Sequence, residues 1–324
     1  MIPAVHEVAL AQQLNHGTSF PLIYQAEAEL QDIDAVAAWV QANQQLLLEQ
    51  LAERGAILFR GLPARSDLDF DRVVQSLGLA NFSYAESLSN AVRKNRTERV
   101  FTANEAPPEV EIYLHHEMAQ TPVYPSKLMF YCELAPSSGG ATPLCRSDAV
   151  LSVLEERAPE FVSRCEQEGV RYTNVMPASA DLASGQGRSW HSTLSVATKA
   201  EAEARLSALG YGFEWLVDDS LRATTPALPA IRRLDDGRRV FFNQLIAAFR
   251  GWQDARNQAS KSVSFGDGQA IAESDMRIVC DAGEELTFDL PWQTGDIALV
   301  DNFLVMHGRR PFQGKRRVLA SLFD

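Results

Sequence analysis

The chain has 324 residues, 46% of them hydrophobic, and a net charge of −12 from 30 basic and 42 acidic side chains. That length and composition can bury a large core, and the acidic balance argues against nucleic acid as a partner, because neutralising phosphates needs a basic surface. No run approaches the roughly 20 apolar residues of a membrane-spanning helix, and the opening MIPAVHEVALAQQLNHG lacks a basic segment followed by an apolar block, so a cytoplasmic protein with no membrane partner is expected.

From Ile33 to Arg54 the apolar residues Val36, Trp39, Val40, Leu46, Leu47 and Leu51 recur at helical spacing and Gly55 follows as a stop, which predicts an amphipathic helix. AILFRGLP (56–63) reads as a short buried strand, and SDLDFDRVVQSLG (66–78) as a helix capped by Ser66 or Asp67. Between Arg99 and Leu134 the pattern shifts to the β-like runs RVFTAN, VEIYLHHEM and SKLMFYCEL, parted by the proline turns APPE and TPVYP. A helix capped by Ser147 is expected over 147–169. Residues 178–270 read as an insertion: a small, polar, lid-like loop, a helix over 198–210 stopped by Gly210, and strand-like RRVFFNQLI. A helix over 267–285, LTFDLPW, a turn at Thr294-Gly295-Asp296, IALVDNFLVMHG and a last strand RRVLASLFD close the chain. Cys132, Cys145, Cys165 and Cys280 form no CxxC pair and are expected to be free thiols. The elements predict one domain over 1–324, mainly β with helices packed outside.

YLHHEMAQ (113–120) carries the first chemical signal. In a strand, side chains alternate faces, so His115 and Glu117 would point one way and His116 the other. Imidazole and carboxylate suit divalent iron, and two histidines plus one carboxylate on one face of an octahedron leave three positions open. Of the six histidines, His307 is the strongest third ligand, because it ends the strand-like IALVDNFLVMHG just before a glycine. An isolated His-x-Glu is more often a hydrogen-bonded pair than a metal site. Zinc hydrolysis with the same ligands would lack an evident general base.

LHHEMA, SKLMFYCELAPSSGGATPL and WQTGDIALVDNFLVMHGRRPFQGKRRVL together resemble the iron(II)/2-oxoglutarate-dependent oxygenases of the TauD/TfdA superfamily, the taurine-dioxygenase and clavaminate-synthase type, and most closely the SyrP-like amino-acid hydroxylases. The resemblance covers most of residues 55–324 and implies a double-stranded β-helix, or jelly roll, with flanking helices. It implies His115, Glu117 and His307 as the catalytic iron triad, with iron(II), 2-oxoglutarate and O2 as cofactor and cosubstrates. Thr142 and Arg317 match the residues that hold 2-oxoglutarate, with Arg316 as a rival on the opposite strand face. An arginine suits that role because its planar fork offers two parallel donors to a carboxylate. The carboxylate at 117, where related halogenases have a small residue, implies hydroxylation or desaturation.

The implied substrate is an amino acid, acidic and tethered to a peptidyl carrier domain, hydroxylated at its β-carbon in nonribosomal peptide or other secondary metabolism. A free small molecule such as an amino acid or sulfonate is the alternative, and a non-catalytic binding protein of the same fold a third reading. Asn104, Glu105, Tyr113, Asn243 and Arg309 are candidate substrate contacts, each weighed against ordinary turn or strand hydrogen bonding. His116 reads as a back-face residue and His191 as a candidate contact in the insertion. The basic cluster Arg93, Lys94, Arg96 and Arg99 is a candidate docking patch for an acidic carrier domain, against the plainer reading of a solvated face.

Overall fold

The computed structural model describes residues 4–83, 87–89, 93–181, 187–252, 256–257 and 259–324. Its first long helix, Ile33–Arg54, starts where Asp32 accepts a hydrogen bond from the Ala35 amide at 2.9 Å and stops at Gly55, φ +86°. Ser66, not Asp67, caps the next helix, Asp67–Ser76, by accepting from the Asp69 amide.

Seven strands pair in the order Val5–Glu7, Leu22–Ala26, Ala56–Arg60, Ile297–Asp301, Lys127–Leu134, Arg317–Phe323 and Phe101–Thr102. Four more pair in the order Thr287–Leu290, Thr142–Arg146, Val305–Arg309 and Ile112–His115. The two sheets face each other over one core, with Leu128, Phe130, Ala320 and Leu322 from the larger meeting Leu144, Phe288, Leu290 and Val305 from the smaller. This is the jelly roll expected. Helices also cover the outer faces. Ile57, Phe59, Tyr131 and Leu319 of the larger sheet pack with Val36, Val40, Phe70 and Val74 of the first two helices. Leu114, Cys145 and Met306 of the smaller sheet pack with side chains of Ser147–Arg157, Leu245–Gly251 and Glu273–Glu285. Strands buried on both faces read as continuous apolar runs rather than alternating ones.

Several elements differ from expectation. The predicted helix over 147–169 is two, Ser147–Arg157 and Pro159–Glu168, because Pro159 has no amide to continue the first and serves as the first residue of the second. Arg146 precedes the first of these with no side-chain cap, so Ser147 lies inside the helix. RRVFFNQLI keeps only Arg239–Val240 as strand, then turns into the helix Leu245–Gly251. IALVDNFLVMHG is two strands around a turn, so His307 lies within Val305–Arg309 and not at its end.

Residues Gly212–Trp215, Leu221–Thr224, Val170–Met176 and Val263–Phe265 pair in that order as a third sheet. Among the described residues no helix is long and apolar enough to cross a membrane. The four cysteines are buried and unpaired.

Candidate metal centre and its pocket

His115 ends the strand Ile112–His115 and pairs in register with His307, bringing the two ring centroids to 4.4 Å. Gly308 makes this approach possible, since a Cβ there would stand 2.3 Å from the Ile112 carbonyl oxygen. His115 Nδ1 lies 2.8 Å from the Tyr113 carbonyl, so it donates there and leaves Nε2 as the free donor atom.

Glu117 reaches the same place by a different route from the one expected. The strand has ended, and Glu117 lies in a turn before Met118, which has φ +59°. Asn302 clamps that turn: its Oδ1 accepts from the Glu117 amide at 2.7 Å, and its Nδ2 donates to the carbonyls of Glu117 at 3.0 Å and Pro125 at 2.7 Å. His116 points away and binds the Asn302 carbonyl through Nδ1, the back-face position expected of it. One ligand atom from each of His115, Glu117 and His307 lies within 4.8 Å of the others, the group among the described residues that could hold a metal ion. His307 Nε2 stands 3.5 Å from Glu117 Oε2, and its buried Nδ1 has no protein partner.

Burial alone would raise the Glu117 pKa, but the Arg93 charge and the His307 hydrogen bond hold it well below the usual carboxylate range. Arg93 Nη2 meets both carboxylate oxygens at 2.9 Å, with its side chain 7% exposed. This corrects the docking-patch reading. Arg93 is buried on the metal site, Arg96 pairs with Asp67 and Glu133, Arg99 with Asp71 and Glu98, and Lys94 with Glu105. Reversing these charges would strike the metal site and neutralising pairs, not a free basic surface.

The triad opens into a pocket with about 820 Å³ of non-protein space, part of it open to solvent. Thr142 and Arg316 stand in its wall. Arg316 Nη2 approaches Thr142 Oγ1 at 3.3 Å and its Nε donates to the Gly140 carbonyl at 2.9 Å. Gly140 leaves room for the arginine stem, since a Cβ there would sit 3.1 Å from Arg316 Cδ and closer still to Pro136. Trp292 Nε1 donates to Thr142 Oγ1 at 2.9 Å, so the threonine keeps its own proton for an acceptor in the pocket. No carboxylate among the described residues pairs with Arg316. Burial, then the nearby Arg309, lowers its pKa to about 10.

Arg317 does not reach this pocket. In the strand Arg317–Phe323, Val318, Ala320 and Leu322 face the core between the sheets while Leu319 and Phe323 face the helices, so Arg316 falls on the inner side and Arg317 on the outer. Arg317 is exposed and pairs with Glu133 Oε2 at 2.6 Å.

The candidate substrate residues divide. Asn104 lines the pocket, although its Oδ1 accepts from the Ala106 amide at 2.9 Å. Arg309 lines it too, but its guanidinium donates to the carbonyls of Asn104, Ala106, Pro107 and Val110 and ties down that loop. Glu105, Tyr113 and Asn243 lie outside the pocket lining: Glu105 with Lys94, Tyr113 beneath Arg250, and Asn243 fully engaged with the Leu245 amide and the Ala230 carbonyl. His191 stacks on Trp190 and does not line this pocket. Sequence reasoning missed Gln120, Gln244 and Trp252, which do line it.

The sequence pattern of the taurine catabolism dioxygenase TauD, TfdA family matches residues 18–322. The chain belongs to that family. It is 42% identical over 284 residues to a clavaminate synthase-like protein of Arabidopsis thaliana, covering 87% of this chain and 86% of the relative. It is 32% identical over 288 residues to the dapdiamide synthesis protein DdaC of Enterobacter agglomerans, covering 85% and 84%. An asparagine oxygenase solved with Fe(II), 3-hydroxyasparagine and succinate shares the fold, with a TM-score of 0.56 at 12% identity over 90% of this chain and 81% of that one. TauD/TfdA enzymes are iron(II)/2-oxoglutarate-dependent oxygenases, and two imidazoles and an ionised carboxylate beside a half-buried arginine that meets no carboxylate among the described residues fit both the ion and the dianionic cosubstrate.

Burial, with the His307 charge, lowers His115 to about 4 against the pull of Glu117, and burial lowers His116 to about 3 against its bond to the Asn302 carbonyl. Both titrate near 6.5 when unfolded, so below about pH 6.5 the unfolded chain binds protons that the fold refuses. Stability of the metal-free protein is full above that pH and declines below it, by about 1.4 kcal/mol per pH unit for each fully neutral histidine. Urea unfolding at about pH 7.5 and about pH 5 should show the midpoint falling with acid, and an unchanged midpoint would contradict it.

Proposed function

We propose that this TauD/TfdA oxygenase hydroxylates an amino acid or an amino-acid-derived amide at an unactivated C–H bond, with His115, Glu117 and His307 holding iron(II) and with Arg316 and Thr142 holding 2-oxoglutarate. The observation that carries this reading is the convergence of the three ligands on one pocket whose wall presents a half-buried arginine with no carboxylate partner among the described residues. Iron and 2-oxoglutarate supply the oxidising power, so that O2, 2-oxoglutarate and the C–H bond become succinate, carbon dioxide and an alcohol.

The protein's own groups position and shield. His115 and His307 offer Nε2 and Glu117 its carboxylate, kept ionised by Arg93. Arg316 and the Thr142 hydroxyl present donors to the distal carboxylate of 2-oxoglutarate. Phe130, Val318 and Trp252 give the pocket apolar walls that exclude water. The asparagine oxygenase, whose complex holds a hydroxylated amino acid and succinate, and the dapdiamide synthesis protein support the substrate class. With Arg93 on Glu117, the basic cluster gives a carrier domain no support as partner, and a free substrate is favoured.

Anaerobic addition of iron(II) and 2-oxoglutarate should produce a weak visible charge-transfer band, and admitting O2 with amino acids should then yield succinate. A colourless anaerobic mixture would sink the reading.

A further inference from the structure

A second chamber adjoins the first. Gln120 and Trp252 line both, and beyond them the space is walled by the third sheet and its helices, through Tyr172, Met176, Leu194 and Ala223. It encloses about 430 Å³ of non-protein space, including its open mouth. The two chambers differ in chemistry. Arg93, Arg309, Arg316 and Glu117 line the first, whereas no Asp, Glu, Lys, Arg or His among the described residues lines the second.

Most polar groups of the second chamber already have partners. Thr121 Oγ1 donates to a backbone carbonyl, Thr225 Oγ1 accepts from the Tyr172 amide, and the Tyr172 hydroxyl accepts from the Gln244 amide. Gln120 Oε1 and Asn174 Nδ2 do not: both atoms are buried and neither has a hydrogen-bond partner. A buried donor and a buried acceptor left unmet are rare in folded proteins, so two of them on residues that line one uncharged cavity point to a polar group of a ligand.

Resting on the reading of the first pocket as the oxygenase site, we infer that the second chamber is the specificity pocket for the far end of the substrate, and that this end is an uncharged, chiefly apolar chain bearing an amide. An amide carries one donor and one acceptor, and so satisfies Gln120 and Asn174 whichever way their side-chain amides are turned. A carboxylate or ammonium here would be desolvated with no opposite charge, which excludes acidic and basic substrate tails. The inference differs here from the acidic amino acid expected from the sequence.

The probes are pentanamide, pentanoate and pentylammonium, titrated by calorimetry into protein loaded with Mn(II) and 2-oxoglutarate, which does not turn over. Ala223→Phe fills the chamber, and Asn174→Leu removes one amide partner while making no other change to side-chain hydrogen bonding. Binding that Ala223→Phe abolishes is binding in the chamber. Pentanamide should show it and should weaken about fivefold in Asn174→Leu. The two charged probes should show chamber binding at least about tenfold weaker than pentanamide.

If Ala223→Phe does not fold, the Asn174→Leu difference decides alone. Pentanamide that fails to bind, or that ignores both substitutions, or charged probes that bind the chamber as well, would overturn the inference. The anaerobic iron(II) band tests the oxygenase reading separately, so failure of either is read without the other.

Discussion

Arg316→Met is expected to weaken 2-oxoglutarate binding by about a hundredfold, whereas Arg317→Met should leave it within about twofold. Arg317 opens the strand and Arg316 immediately precedes it, so only the alternation of faces separates their roles. Arg316 is half-buried beside Thr142 and touches a carbonyl and a hydroxyl but, among the described residues, no carboxylate, so a dianion entering the pocket gains charge-assisted bonds to a cation already partly desolvated. Arg317 is on the outer face with Glu133 at hand. Arg316→Lys should recover part of the loss, since it restores the charge but not the two-pronged geometry. Titrating the anaerobic iron(II) band with 2-oxoglutarate measures all three variants, and a larger loss in Arg317→Met would reverse the assignment.

The same alternation shows where the sequence stops being informative. RVLASLF is apolar at odd and even positions alike because helices cover one face of the strand and the opposite sheet covers the other, so nothing in the pattern says which arginine turns inward. Ile33–Arg54 was legible to the residue because its apolar stripe and terminal glycine agree. The metal ligands were legible as residue types but not as geometry: His115 belongs to a strand and Glu117 to the turn after it, so their shared direction comes from the Asn302 clamp and not from alternation.

Long-range pairing was invisible for the same reason. Arg93 looked like one of four solvated cations, yet it crosses to Glu117, while the others each meet a carboxylate. Asn243 looked like a pocket residue in a strand, but the chain turns into a helix there and its side chain serves the turn, leaving the next residue, Gln244, to face the cavity. The second chamber had no sequence signal, because its wall residues read as ordinary core and only their arrangement leaves the two amide atoms unmet.

Asn302→Leu should damage the metal centre without touching a ligand. The substitution keeps the volume near that of the original side chain but leaves the Glu117 amide, the Glu117 carbonyl and the Pro125 carbonyl without their partners in a fully buried place. At about 1–3 kcal/mol for each unmet group, partly relieved by relaxation, the fold should lose roughly 3–5 kcal/mol. The Glu117 backbone would then be free to shift, and ligand carriers of this kind change metal affinity by about 10- to 100-fold. Urea unfolding of metal-free protein reads the first effect, and Mn(II) titration of the folded fraction at low temperature reads the second. A destabilised variant that still binds Mn(II) as tightly as the parent would show Asn302 to be packing alone, because a clamp that positions Glu117 must move the affinity as well as the stability.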